Sequence, residues 1–304
     1  MMVKSDELQK AMQLLESSAD YKILRRLEIE KHPRLSGNPV SGKAKIGLCL
    51  DTETTGFKYE EDKIIELGIV VFEYEMESCE ITRIIGRYSG FEDPGIPLSP
   101  EVIKVTGITD DMLAGQAFDD EAVNALARQA NLVLAHNCAF DRPFIERRFP
   151  SFASLPWACT LTQIDWAAEL VTSRTLEYLL FKCGGYFIDA HRACNDAEGL
   201  LGLLLEYLPD SGAPVFKTLM EAARRTTTRI HAVGSPFDSK DLLKERKYRW
   251  NDGANGKPKC WWRDVPTEQE SEELAFLSES VYRGDTSSVV LSRINAYSRF
   301  SVRE

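Results

Sequence analysis

The stretch Gly47-Leu-Cys-Leu-Asp51-Thr-Glu53-Thr-Thr-Gly56-Phe57 ends an apolar run with two carboxylates one residue apart. Side chains in a strand alternate faces, so residues i and i+2 project the same way. Asp51 and Glu53 therefore converge at a strand end, with Thr-Thr-Gly turning the chain just beyond them. Two carboxylates held that close repel each other unless a positive charge lies between them, and hard divalent cations with oxygen ligands supply one. A solvated acidic turn after an edge strand fits the same residues. Ligands found downstream decide between the two.

The chain has 304 residues, 43% hydrophobic and 28% charged, which suits a globular protein of one large domain with appendages or of two domains. Asp6 and Glu7 fall where a secretory signal would have its apolar core. The longest apolar stretch, around Gly199–Leu208, is interrupted by Glu206 and too short to span a bilayer, so no membrane association is expected. Seven scattered cysteines without a C-x-x-C pair argue against a disulfide framework or a zinc site and for a reducing, cytoplasmic setting. The net charge of −10 hides an asymmetry. Between Ser211 and Arg263 stand twelve Lys/Arg against five Asp/Glu, a local surplus of +7 that is a nucleic-acid signal.

Along the chain, residues 5–31 read as helical, with Ser5 or Asp6 as cap, and His32–Lys45 as a linker rich in Pro, Gly and Ser. Strands are expected at 45–51, 63–73, 79–88 and 132–135. Helices are expected at 100–105, 118–131, 141–149 (with Pro143 in its first turn), 160–171, 175–182 and 194–207. Hairpin-forming strands followed by strands interleaved with helices give a mixed sheet flanked by helices. From Pro214 the character changes. A basic helix at 214–231, a second at 239–247, a hairpin of Tyr248–Trp250 with Lys259–Val265 across Asn251–Gly256, and a capped acidic helix at 267–282 read as a separate small α+β module. The domain expectation is 1–44, an N-terminal helical extension and linker; 45–210, the main domain; and 211–304, the basic and aromatic module.

If Asp51 and Glu53 hold metal, more oxygen ligands must arrive from elsewhere. Asp141, in Ala135-His-Asn-Cys-Ala-Phe-Asp141, stands where a strand gives way to a helix. Asp196, in His191-Arg-Ala-Cys-Asn-Asp196, opens an apolar helix. Each could equally cap its helix. His191, five residues before Asp196, can lean over a site built at that helix start, whereas His136 reads as structural.

The ordered set D-x-E-T-T-G, N-x-x-F-D and H-x-x-x-x-D resembles the three exonuclease motifs of the DnaQ-like (DEDDh) family, over roughly residues 45–208. Pro100-Glu-Val-Ile-Lys-Val-Thr-Gly-Ile-Thr resembles the family's helix before G-I-T, with Thr106 where the family often has His. The resemblance implies an RNase H-like α/β fold and 3′–5′ hydrolysis of terminal phosphodiester bonds with two Mg²⁺ (or Mn²⁺) ions, about 3.5–4 Å apart in such sites. It implies Asp51 bridging both ions, Glu53 and Asp196 on the nucleophile side, Asp141 on the other, and His191 as general base. Thr54, Thr55, Gly56, Phe57, Asn137 and Phe140 would line the cleft for the terminal nucleotide.

The implied partner is a nucleic-acid 3′ end, single-stranded DNA favoured over RNA. A 3′ exoribonuclease is the alternative, and a binding protein on an inactivated nuclease fold a third reading. A polymerase-bound proofreading subunit fits less well, because the basic module follows Tyr207 in place of an evident polymerase-binding peptide. In that module Trp250, Trp261 and Trp262 interleave with Lys and Arg as on surfaces that stack bases and track phosphates, although the same tryptophans could simply hold a small core. A protein partner or homodimer through the terminal extensions is left open.

Overall fold

A computed structural model describes residues 5–253 and 256–303. The side chains of Ser5 and Asp6, the expected cap, and Ala254 and Asn255 of the expected hairpin turn lie outside the described residues. The chain divides into two compact units, Met1–Ala222 with Phe300–Val302, and Ala223–Arg299 with the terminal residues. Among the described residues no helix is long and apolar enough to cross a membrane.

In the first unit, α1 (Ser5–Glu16) and the short β1 (Arg25–Arg26) precede β2 (Ala44–Thr54), β3 (Ile64–Glu75) and β4 (Ile81–Phe91). There follow α2 (Pro100–Thr106), α3 (Asp110–Leu113), α4 (Asp120–Gln129), β5 (Leu132–Ala135), α5 (Cys138–Arg148), β6 (Trp157–Cys159), α6 (Leu176–Gly184), β7 (Tyr186–Phe187), α7 (Ala193–Leu204) and α8 (Val215–Arg224). The sheet order is β4-β3-β2-β5-β6. The β2–β3 and β3–β4 pairs are antiparallel, and β2–β5 and β5–β6 parallel. This is the RNase H-like mixed sheet flanked by helices.

Strand β3 is buried along almost its whole length, as a central strand covered on both faces must be. Leu67, Ile69 and Val71 join Val123, Ala127, Phe144 and Ile145 in one core cluster, which assigns that face to α4 and α5. The alternate face, with Glu66 and Gly68, meets α7: a Cβ at Gly68 would fall inside the backbone of Ala193. α8 completes this unit, because Phe216 packs edge-on against Phe72 (5.8 Å) and Tyr74 (5.1 Å) and is 2% exposed. The division after Ala222 therefore lies beyond the residue-210 boundary read from composition.

Several expected helices differ. Of the 5–31 segment only 5–16 is α-helical, with a single 3-10 turn at Ile29–Lys31. The Ser17 hydroxyl donates to the Leu14 carbonyl (2.7 Å) and Ser18 Oγ accepts from the Asp20 amide (3.2 Å), ending the helix, after which Arg25 N and Leu27 N bond to Gly185 O and Phe187 O alongside β7. The 160–171 segment is a series of turns. Trp166 Nε1 donates to Thr160 O (2.7 Å), Gln163 Oε1 accepts from Cys159 N (2.8 Å), and Leu170 adopts φ +57°. α5 starts three residues before Asp141, because the Asn137 carbonyl accepts from Phe140 N (2.7 Å), so Pro143 sits inside the helix rather than in its first turn.

In the second unit β8 (Thr227–Ala232), α9 (Lys240–Glu245), β9 (Arg249–Asn251), β10 (Cys260–Pro266), α10 (Glu270–Phe276) and β11 (Val290–Ile294) form a four-stranded sheet, β11-β8-β10-β9, with two helices. The expected helix at 214–231 ends at Arg224, and β8 takes the chain from Thr227. Thr228, Ile230 and Ala232 alternate inward there, a period of two that β-branched residues favour. The 248–250/259–265 hairpin forms, with Trp250 opposite Trp261 (ring centroids 5.4 Å). Trp262 projects to the other face between Arg229 (4.5 Å) and Arg249 (5.4 Å).

Phe216→Ala is expected to destabilise the first unit by about 3–5 kcal/mol, the usual range for emptying a buried aromatic site. Urea unfolding of this variant against the parent protein checks it, and an unchanged midpoint would place α8 outside the core.

Candidate active site

The carboxylates gather at the C-terminal end of β2. Leu48, Cys49 and Leu50 are fully buried, and beyond them the strand alternates partly exposed Asp51 and Glu53 with buried Thr52 and Thr54. Asp51 pairs with Gly68 and Glu53 with Glu66 across β3, so both acids lie on the face that α7 covers. A register shift between Glu53 and Thr54 ends the regular pairing and turns the chain.

Asp196, in the first turn of α7, meets the pair from above. One carboxylate oxygen each from Asp51, Glu53 and Asp196 lie within 4.8 Å of one another, the one such cluster of metal-competent side chains among the described residues. Asp141 comes from the opposite face of β2. It is 3% exposed and accepts from Thr52 Oγ1 (2.8 Å), so the strand end is flanked by three acids on one side and one on the other.

This crowding is expensive. Burial first, then Asp141, Asp196, Glu53 and Glu66, holds the Asp51 carboxyl well above its ordinary range. Burial, then Asp196, Glu66 and Asp141, pushes Glu53 up to about 7 against the pull of Arg192. Burial raises Asp141 to about 7 against its Thr52 hydrogen bond, and Asp196 to about 6 against the Arg192 amide and His191. Acids that resist ionising together become good ligands once a cation offsets their charge, so this oxygen-only donor set fits a hard divalent ion.

His191 is exposed and holds φ +63° in the turn before α7, close enough to favour the charged form of Asp196. His136 is structural. Its Nε2 donates to the Arg174 carbonyl (2.8 Å), leaving Nδ1 to accept from Thr160 Oγ1 (2.8 Å). The Thr54 and Thr55 hydroxyls serve the loop itself, bonding Gly56 O (2.6 Å) and Asp62 Oδ1 (3.2 Å). Gly56 leaves room for Asp62, whose carboxylate a Cβ there would strike. Phe57 is 91% exposed, with its ring 6.3 Å from half-buried Phe140, and Asn137 is exposed at the start of α5.

Glu66 and Arg192 escaped the sequence reading. Glu66 is 1% exposed and accepts from Arg192 Nε (3.1 Å), Arg192 Nη2 (3.0 Å) and Ala193 N (3.1 Å). Its signal was a lone carboxylate inside the wholly apolar run Ile64-Ile65-Glu66-Leu67.

The RNase_T exonuclease family profile matches residues 48–204, from β2 to the end of α7. The chain belongs to this DnaQ-like exonuclease family. The exonuclease region is similar to the DNA polymerase III PolC-type of Halalkalibacterium halodurans, 35% identical over 171 residues, which cover 54% of this chain and 11% of the polymerase. It is also similar to DNA polymerase III subunit epsilon of Treponema pallidum, 33% identical over 158 residues, covering 49% of this chain and 70% of that subunit. Among solved structures, Exonuclease X in complex with 5′ overhanging duplex DNA is 24% identical, covers 52% of this chain and 89% of its own, and superposes with a TM-score of 0.39.

Between the ordinary carboxylate pKa and the raised values of Glu53 (about 7) and Asp196 (about 6), the folded chain holds protons that the unfolded chain releases. Its metal-free stability therefore falls as pH rises through that window. In EDTA the melting temperature is expected to drop between about pH 5 and about pH 8, Glu53→Gln to flatten the drop, and Mg²⁺ or Mn²⁺ at the upper pH to reverse it. A melting temperature that rises with pH in EDTA would contradict the crowding.

Proposed function

We propose that this chain is a 3′–5′ exonuclease that hydrolyses the terminal phosphodiester of nucleic acid, with a single DNA strand as the favoured substrate. The convergence of Asp51, Glu53 and Asp196, with Asp141 across the strand, carries this reading. Asp51, Glu53, Asp196 and Asp141 would together hold two Mg²⁺ or Mn²⁺ ions, with Asp51 shared. Bound there, the ions supply charge neutralisation at the scissile phosphate and at the attacking and leaving oxygens.

The protein's own groups do the rest. His191 accepts a proton from the attacking water, general-base work that an imidazole nitrogen can do. Its exposed turn lets it reach solvent and return the proton. Phe57, exposed and beside Phe140, offers a ring face to the terminal base or sugar, while Asn137 and the Thr54–Gly56 backbone border the same end of β2. Thr52 keeps Asp141 aimed at the strand end through its 2.8 Å hydrogen bond.

End-labelled single-stranded DNA and RNA, incubated with Mg²⁺ and then with EDTA, test the proposal. Stepwise 3′ trimming that needs the cation is expected, falling roughly 10³-fold or more in Asp51→Ala because several kcal/mol of charge stabilisation is lost. Trimming that survives in the Asp51→Ala, Glu53→Ala double variant overturns it.

We also propose that the second unit docks the single strand. Exposed Lys244, Arg249, Trp250 and Lys259 accompany the basic surplus noted above. Trp250→Ala is expected to weaken oligonucleotide binding by roughly 1–3 kcal/mol, and Lys259→Ala to lessen its salt dependence. Equal affinity and salt slope in both variants count against docking.

A further inference from the structure

We infer that Glu66 and Arg192 form a positioning lock that sets Asp196 and His191 against Asp51 and Glu53. The inference rests on the exonuclease reading for its role in catalysis, but its structural content stands on the following contacts.

A helix N-terminus leaves its first amides without partners, and a Ser, Thr, Asp or Asn side chain normally takes one. The N-cap of α7 is Arg192, whose side chain makes no capping bond. The acceptor comes instead from the neighbouring strand: Glu66 Oε2 takes the Ala193 amide at 3.1 Å. The guanidinium of Arg192 then folds back over the same carboxylate, with Nε and Nη2 at 3.1 and 3.0 Å from Oε1. Within the turn, Asp196 Oδ2 accepts the Arg192 amide (3.1 Å), and Asn195 Nδ2 donates to Asp189 O (2.8 Å).

These bonds bracket His191, whose φ of +63° is a costly conformation for a residue with a β-carbon and persists only where neighbours hold it. The lock also removes a hazard. Glu66 faces Glu53 directly across the two strands and is 1% exposed, so without Arg192 its charge would stand unpaired beside the carboxylate trio. Arg192 keeps 43% of its side chain exposed while its fork is spent on Glu66, which makes it a positioning residue rather than a substrate contact.

The test uses full-length Arg192→Met, Arg192→Lys, Glu66→Gln and the Arg192→Met/Glu66→Gln double variant. Three quantities are read: amide hydrogen exchange over 193–196 without metal, Mn²⁺ affinity, and kcat and KM on a single-stranded oligonucleotide. Arg192→Met is expected to lose exchange protection at 193–196 and to weaken Mn²⁺ affinity and kcat by roughly 10–100-fold. Its KM should stay within about twofold of the parent value.

Arg192→Lys should recover part of each loss, since an ammonium supplies the charge but not the fork. The double variant should lose little beyond Arg192→Met alone, as expected of one shared interaction. Unchanged exchange and kcat in Arg192→Met, or a rise confined to KM, overturns the lock. Should the parent protein fail to trim nucleic acid, the exonuclease reading falls, while the exchange and Mn²⁺ arms still decide the lock. Should Arg192→Met not fold, Arg192→Lys and Glu66→Gln carry the same readouts.

Discussion

The seating of the first turn of α7 on β3 is the contact on which the site depends. Gly68 lets the backbone of Ala193 come down onto the sheet where any side chain would collide, and Glu66, two residues earlier on the same face, takes the amide that arrives. Gly68 is also the cross-strand partner of Asp51, and Glu66 that of Glu53. The same two β3 positions thus set the helix height and face the two strand carboxylates. Asp196 reaches those acids because the helix that carries it has no Cβ beneath it.

A second constraint is electrostatic. Four acids meet at one strand end, with a fifth, Glu66, buried behind them, and burial raises the cost of every charge. The structure divides that cost between two faces. Arg192 and a helix N-terminus answer Glu66, the Thr52 hydroxyl steadies Asp141 on the far side, and the trio of Asp51, Glu53 and Asp196 is left without a paired cation within hydrogen-bonding reach among the described residues. A carboxylate trio gathered this closely without an ion pair of its own fits a divalent ion better than a structural salt-bridge network.

Much of this was legible from local sequence. The β2 reading survived because an apolar run ending in alternating Asp and Glu has one strand geometry; of the motif residues, Asp141 lies on α5, Asp196 in the first turn of α7 and His191 in the turn before it. Where the reading failed, tertiary partners had overridden local pattern. Residues 17–27 carry apolar spacing that suits a helix, but Ser17 and Ser18 claim backbone groups and β7 offers the following residues an edge to pair with. Residues 160–171 look helical until Trp166 and Gln163 take the main-chain partners a helix would need. The Thr226–Ile230 run continues the basic pattern of the preceding helix, but its β-branched alternation fits the sheet centre it occupies.

The sequence by itself determined the strand with its two carboxylates and the family, and named Asp141, Asp196 and His191 as candidates, because each motif is written in residues within a few positions of one another. Only the tertiary structure decided that Asp196 shares a face with Asp51 and Glu53 while Asp141 answers from the other, and that Phe57 stands in solvent beside Phe140. It also decided that Glu66, an anomaly in an apolar strand, is the acceptor that holds α7 in place. These relations join residues far apart in the chain: Glu66 and Arg192 are 126 positions apart, and Asp51 and Asp196 are farther still. No local propensity encodes a distance of that kind; it is set by how closely a helix can pack onto a sheet.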